Sequence, residues 1–458
     1  MTSSRQAQVV ICGAGIAGIS SAYYLATRAG ITDIILLDMD SPLSLTSDQS
    51  TECYRNWWPG PGDAMVRFMN RSIDLMEELA QRSNNVFQLN RRGYLYCSSD
   101  PAQVPTILRE AQEISRLGAG PVRVYERKGD HGTYLPADSE DFLHQPTGAD
   151  LLLDREMIRQ SFPFLADDIC AVLHARRAGW LSAQQLGMYL LEQARQLGVR
   201  FIKGRVTGIE ILPSGEFRVS TAKGDQLIST AFVDAAGPFL KPVAAMLGVD
   251  LPVKHELHLK VNFKDSLAVL PRNAPMVIYT VPQTLQWSDE ERRELEADPN
   301  YRFLLDEMPS GVHTRPEGGS GSQMILVLWE YDNASVEPAW PVPVDPFYAE
   351  IAVRGLGRLI PEMYQYSGKF TKPVVDGGYY TKTPENRPLI GPLPVPGAYV
   401  IGALSGFGIM ASCAAGELLS KHIAGSELPD YAPAFELERY QRPDYLELLN
   451  NWGDSGQL

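Results

Sequence analysis

Glycines occupy the first, third and sixth places of Gly13-Ala14-Gly15-Ile16-Ala17-Gly18. That spacing suits a backbone that must turn tightly beside a diphosphate. Gly13 permits the turn, Gly15 clears the approach of the phosphates, and Gly18 lets a helix lie close to a strand. The apolar run at 8–12 precedes the turn and a helix is predicted from Ile16 to Arg28 after it. The free amides and partial positive charge at that helix start are an anion site. Asp38 lies twenty residues beyond Gly18, at the end of a second apolar run, Ile34-Ile35-Leu36-Leu37. A carboxylate there accepts hydrogen bonds from ribose hydroxyls and repels a 2′-phosphate, which disfavours NADP. Strand, glycine turn, helix and strand make one unit of a parallel sheet. These residues leave NAD and FAD both open.

Two more glycine turns follow apolar runs. Phe232-Val233-Asp234 leads into Ala235-Ala236-Gly237, and Tyr399-Val400-Ile401-Gly402 leads to Ser405-Gly406-Phe407-Gly408 and a helix through about residue 424. The start of that last helix can face the pyrimidine edge of a flavin, where negative charge develops on reduction. Ordinary packing of a helix after a strand is the alternative reading.

The elements that must position these turns are spread along the chain. Helices are predicted at 64–82, 104–117 and 184–197, and a hairpin at 86–97. A strand at 199–202 precedes an antiparallel pair at 205–212 and 216–221. Strands rich in Val, Leu and aromatics fall between 252 and 331, interrupted by a charged, glycine-rich excursion at 284–323. Residues 41–63 read as loop. The expected fold is α/β: a Rossmann-like dinucleotide domain from 1–85, 150–250 and 370–426, and a substrate domain with a mixed, largely antiparallel sheet from 86–149 and 251–369. Both are discontinuous, and 427–458 form a Pro-rich, acidic tail that lies on this chain or on a partner. A chain of 458 residues is long for one core, which also favours two domains.

The formal charge of −14 argues against nucleic acid and anionic membranes as partners. The five cysteines, Cys12, Cys53, Cys97, Cys170 and Cys413, form no C-x-x-C pair, so neither a zinc site nor a redox disulfide is expected. No apolar run reaches about eighteen residues, so no membrane span is expected. The opening residues lack the pattern of a signal peptide, and with the scattered cysteines this points to a cytoplasmic protein.

Taken together, the sequence resembles the D-amino-acid-oxidase superfamily of flavoproteins, and within it the sarcosine oxidase and dimethylglycine dehydrogenase branch. The matching residues are Val9-Val10-Ile11-Cys12-Gly13-Ala14-Gly15-Ile16-Ala17-Gly18, Gly179-Trp180-Leu181, Phe232-Val233-Asp234-Ala235-Ala236-Gly237, Tyr379-Tyr380-Thr381-Lys382-Thr383-Pro384-Glu385-Asn386-Arg387-Pro388-Leu389-Ile390-Gly391 and Ser405-Gly406-Phe407-Gly408. The resemblance implies FAD as the dinucleotide, oxidation of a C–N bond in a secondary or tertiary amine or N-alkyl amino acid by hydride transfer to flavin N5 with iminium hydrolysis, and oxygen or an electron carrier as acceptor. The cofactor set it points to is Gly13, Gly15, Ile16, Ala17, Gly18, Asp38, Val206, Ala236, Gly237, Gly406, Phe407, Gly408, Ile409 and Met410.

Relatives with covalent flavin attach it through a Cys just before the Y-T-x-T-P segment or a His in the first loop. Here those places hold Gly378 and a 45–58 stretch without His, so non-covalent FAD is expected; Cys53 is a thiol in that loop. A lysine that holds substrate carboxylate in sarcosine oxidases is matched by Met410, which weakens the likeness to sarcosine oxidation itself.

The candidate catalytic residues are Arg55, His255, His258 and Tyr380. Arg55 can clamp a substrate carboxylate with two parallel hydrogen bonds. Strand alternation puts Glu256, His258 and Lys260 on one face and His255 on the other. A histidine there can act as acid, base or hydrogen-bond partner. Oxidation of a 2-hydroxy acid, which needs a firm general base, and a flavin-bearing subunit of a larger complex are the competing functions.

Overall fold

A computed structural model describes residues 4–127, 133–138, 141–319, 321–370 and 372–450. The opening strand, Ser4–Cys12, is the centre of an eight-stranded sheet and pairs in parallel with Gln226–Asp234 on one side and Ile34–Asp38 on the other. Its residues 9–11 are fully buried, as expected of a parallel strand covered on both faces. Arg200–Lys203 extends the parallel set beyond Ile34–Asp38, and Ala398–Gly402 pairs in parallel with the end of Gln226–Asp234. Antiparallel strands Val206–Ile211, Phe217–Thr221 and Leu389–Pro392 complete the sheet. The helices Ile16–Arg28, Ala183–Gln196 and Gly408–Ala424 have the predicted positions and pack around the first of them.

A nine-stranded sheet carries the rest. Val374–Lys382, Lys254–Lys264, Met324–Leu328, His313–Glu317 and Met276–Tyr279 run antiparallel in that order, and the sheet continues through Tyr94–Ser98, Ala171–Ala175, Ala149–Leu152 and Val122–Tyr125 with two parallel pairings. The α/β plan of a Rossmann-like layer and a mixed, largely antiparallel sheet is therefore present. By sheet membership, residues 150–152, Ala171–Ala175 and Val374–Lys382 sit with the second sheet, inside segments that the sequence assigned to the first domain.

Local differences have local causes. Residues 86–89 do not pair as half of a hairpin. Asn84, Asn85 and Gln88 adopt positive φ, the Asn85 side chain bonds the backbone of Leu89, and Phe87 is driven into the core. Only Tyr94–Ser98 is a strand there. The 41–63 loop contains a short strand, Cys53–Arg55, paired with Ala178–Trp180. The 284–323 excursion holds a helix, Asp289–Ala297, opened by a capping box between Ser288 and Glu291, and the strand His313–Glu317.

The described part of the tail, 427–450, lies on this chain, and 451–458 fall outside the described residues. Phe435 packs on Phe68 with ring centroids 4.6 Å apart, and Arg439 is fully buried against Glu385 at 2.8 Å. Tyr440 and Tyr445 donate hydroxyls to the same carboxylate. Among the described residues no helix is long and apolar enough to cross a membrane, and no group of side chains is arranged to hold a metal ion.

Candidate active site

The first turn is built as its glycines require. Gly13 adopts φ +116, and a Cβ on it would lie 2.2 Å from the carbonyl oxygen of Ala235. A Cβ on Gly18 would lie 1.9 Å from the carbonyl oxygen of Gly13, so Gly18 serves helix–strand packing and not ligand contact. At Gly15 the only neighbour of an added Cβ is Ser47 Oγ at 3.3 Å, so that position opens on a cleft.

The cleft measures about 620 Å³ and is lined by Gly13, Gly15, Asp38, Val206, Ala236 and Gly237 among others. Asp38 accepts hydrogen bonds from the amides of Ala14, at 2.6 Å, and Asp40, at 2.9 Å. Each carboxylate oxygen thus keeps a lone pair for a ribose hydroxyl. Burial raises the Asp38 carboxyl above its ordinary range against the pull of these amides. Ser47 accepts from the Ile16 amide at 3.0 Å, a contact the sequence did not announce.

Past Thr46, Ser47, Gly237 and Pro238 the cleft narrows to a space of about 100 Å³ between Ile16, Ala17, Tyr380, Gly406, Gly408 and Ile409. Gly406 is obligatory there, because a Cβ would lie 2.3 Å from the Tyr380 ring. The Gly408–Ala424 helix starts at this space, and its first intrahelical amide is that of Ala411, bonded to the Phe407 carbonyl. The amides of Gly408, Ile409 and Met410 therefore form the positive end of the helix. The side chains of Phe407 and Met410 turn into the core. A long cleft with a glycine turn, a sugar-accepting carboxylate and a second helix start fits a dinucleotide bearing a flavin.

The wall beyond is one face of the nine-stranded sheet. Tyr380 pairs with Glu256, and Gly378 with His258, so these side chains share a face. The rings of His258 and Tyr380 stack at 3.8 Å and 15°. His258 lies between two carboxylates, with Nε2 3.3 Å from Glu256 and Nδ1 3.0 Å from Glu330. Glu256 also meets Lys382 and Lys254. Burial works against a charged imidazole, yet Glu330 and Glu256 outweigh it and hold His258 above its ordinary value. Burial likewise opposes ionisation of Glu256, but bonds from His258, Lys382 and Lys254 bring it down to about 2. Tyr380 stays protonated far above neutrality, first through burial and then through Glu330.

His255 points to the other face, where it meets Thr381 at 3.1 Å, and the structure separates it from the cluster. Lys260 shares the His258 face and pairs with Asp376 at 2.8 Å. Cys53 is buried, its thiol donating to the Thr51 carbonyl at 3.1 Å, and all five cysteines are free thiols.

Arg55 is buried in the short strand that the sequence read as loop, and lines a chamber of about 800 Å³ with Tyr96, Trp57, Leu173, Ile278 and Thr280. It donates to the Tyr96 hydroxyl at 2.8 Å and lies over the Trp58 ring at 4.5 Å. Trp58 in turn meets Phe407 edge-on at 5.0 Å, which ties Arg55 to the start of the last long helix. His313, on the strand beside, donates from Nδ1 to the Gly311 carbonyl at 2.7 Å and is held neutral chiefly by burial.

Tyr96, Glu330, His313 and Lys382 are site residues that the sequence did not single out. Lys382 could have been found by strand alternation from Tyr380. Glu330 and His313 had no such signal: His313 lies on a strand inside the stretch read as an excursion, and Glu330 follows the end of Met324–Leu328.

The chain belongs to the DAO family of FAD-dependent oxidoreductases, whose family model it matches over residues 8–422, and its dinucleotide is FAD. It is 25% identical over 435 residues to mitochondrial dimethylglycine dehydrogenase of Rattus norvegicus, covering 93% of this chain and 44% of that protein. It is 27% identical over 262 residues to sarcosine oxidase subunit beta of Rhizobium meliloti, covering 54% of this chain and 53% of that one. The chain thus spans about half the length of these curated relatives or less. Among solved structures it is similar to L-proline dehydrogenase from P. horikoshii, with a TM-score of 0.72, 18% identity, and 96% and 99% of the two chains covered.

Proposed function

We propose that the protein oxidises a C–N bond of an amino acid or N-alkyl amino acid, using non-covalent FAD. The observation that carries this reading is the link from Arg55 through Trp58 to Phe407. It sets a carboxylate-binding cation two rings away from the helix start that faces the narrow end of the cleft. FAD, when bound, supplies a two-electron acceptor for the carbon next to nitrogen.

This chain's residues do the rest. The amides of Gly15 and of Gly408–Met410 hold the negative parts of the cofactor, with Asp38 on a ribose, Val206 and Ala236 along the walls, and Gly237 and Gly406 leaving room. Arg55 clamps the substrate carboxylate, with Tyr96 fixing the guanidinium. Leu173, Ile278 and Trp57 give the apolar walls that exclude water from an unprotonated amine. Tyr380, backed by His258, forms the floor at the narrow end. Against its burial, Glu330 and Glu256 raise the proton affinity of His258, and a histidine that holds its proton more firmly is less available as a general base. That favours an amine, which needs no base, over a hydroxy acid. Gly378 and the buried Cys53 support a flavin without a covalent tether.

The test is anaerobic mixing of the yellow holoprotein with a panel of N-alkyl amino acids, amines and 2-hydroxy acids. Bleaching of the visible flavin band by amino acids is the expected result. Bleaching by hydroxy acids alone would transfer the assignment to C–O oxidation. No bleaching by any member would leave a flavin-bearing subunit as the better reading.

A further inference from the structure

We propose that a second cavity, beside the strand Lys254–Lys264 and the end of Met324–Leu328, binds a small alkylated ammonium ion: Glu330 and His258 form its floor, and Trp329, Tyr331, Tyr348 and Phe303 its aromatic walls. The cavity measures about 460 Å³. It does not share lining with the cofactor cleft or the Arg55 chamber. Leu257 and Leu259 project from the face of Lys254–Lys264 opposite Glu256 and His258, while Trp329, Glu330 and Tyr331 follow the end of Met324–Leu328. His258 is stacked on Tyr380, which lines the narrow end of the cleft.

Three features of the lining select the ligand. The first is aromatic: Tyr331 meets Tyr348 at 5.9 Å, Trp329 at 5.7 Å and Phe303 at 6.3 Å, a cluster of ring faces and edges around one space. Ring faces attract a cation most strongly where water is partly excluded. The second is charge. Glu330 is paired with His258 at 3.0 Å, the lining contains no lysine or arginine, and Asp332 and Asp345 are the negative charge in excess. The third is apolar. Phe303, Val336 and Val344 are 41%, 36% and 43% exposed around the mouth, an unusual gathering of bare hydrophobic side chains. An inorganic cation would gain nothing from that rim, and a neutral alkane nothing from the carboxylates. A nitrogen cation carrying methyl groups uses all three.

The probe is tetramethylammonium chloride, which has no lone pair on nitrogen and cannot be oxidised as an amine. Ligand-observed NMR and calorimetry on the FAD-loaded protein are expected to give saturable binding. Neutral 3,3-dimethyl-1-butanol, whose tert-butyl group is the uncharged isostere of a trimethylammonium group, is expected to bind far more weakly. Tyr331→Ala and Phe303→Ala should each weaken binding by about two- to fivefold, with Tyr331→Phe retaining it. Arg55→Ala should leave it unchanged, which separates this cavity from the chamber of the proposed reaction. Absence of saturation up to high millimolar concentration, equal binding of the neutral isostere, or loss of binding in Arg55→Ala would each overturn the proposal. Melting curves of the variants identify any that fail to fold, and Tyr331→Phe still reports if Tyr331→Ala does.

Discussion

Arg55 and His258 carry opposite tasks with similar burial, and each makes its own prediction. Arg55 is positioned by Tyr96 and Trp58. Arg55→Ala leaves a carboxylate substrate without its clamp, which costs about 2–4 kcal/mol when the pair is desolvated. KM for an N-alkyl amino acid should rise by roughly 30-fold or more, while a plain amine of the same size is little affected. Steady-state kinetics on the two substrates decides it.

Burial opposes a charge on His258, but Glu330 and Glu256 outweigh it, so its folded-state pKa lies above its unfolded value. The stabilisation it brings is therefore complete below about pH 6.5 and fades as pH rises through the folded pKa. Glu330, depressed by His258 against its burial, contributes in full above its unfolded value of about 4.5 and loses that contribution as pH falls through its folded value. Glu330→Gln should thus cost most stability between those limits and least at alkaline pH. Melting temperatures across pH 5–9, with the His258 proton shifts followed by NMR, test the pair without reference to turnover.

At the level of elements, the glycines of the first turn divide into two kinds. Gly18→Ala forces a Cβ against the carbonyl oxygen of Gly13 and should destabilise the protein by about 1–3 kcal/mol. Gly15→Ala points its methyl into the cleft with only Ser47 nearby, so the apoprotein should melt nearly as before while FAD affinity falls by roughly tenfold or more. Thermal melts and a flavin titration separate the two.

Such short-range features were legible in the sequence because their requirements are local. A glycine spacing fixes a turn, and period 3.6 or period 2 fixes a face, so the helices Ile16–Arg28 and Ala64–Arg82 and the Glu256–His258 face were readable. What was not readable depended on partners far along the chain. Cys53–Arg55 is a strand only because Ala178–Trp180 lies beside it. The Asn84–Asn85 turn overrode an apolar run that would otherwise pair. Ser288-Asp289-Glu290-Glu291 did announce its helix through a capping box, overlooked amid the surrounding charge and glycine. Glu330 joined His258 through tertiary placement alone.

Across the whole molecule, the segment at 427–450 acts as a strap. Arg439 bonds Glu385 and the carbonyls of Pro388 and Arg387, and Tyr440 and Tyr445 complete the shell. Glu385 follows the strand that carries Tyr380, so the strap holds the turn next to the narrow end of the cleft. Removing one partner of so buried an ion pair costs about 3–5 kcal/mol. Arg439→Met should lower the melting temperature and increase FAD loss on dialysis, both measurable on the purified protein, while an exposed control such as Arg442→Met, whose partner Asp444 is also exposed, should change neither.

That buried guanidinium also sets an order of events during synthesis. The opening glycine turn leaves the ribosome hundreds of residues before Arg439 does, and until Arg439 arrives Glu385 lacks the guanidinium that bonds it in the fold. A nascent chain can therefore form its first parallel strands early, but the turn at Glu385 beside the narrow end of the cleft gains its buried partners only when residues 439–445 have emerged. The firmness of that end is in this respect set by a segment far along the chain from the fingerprint that announces the cleft.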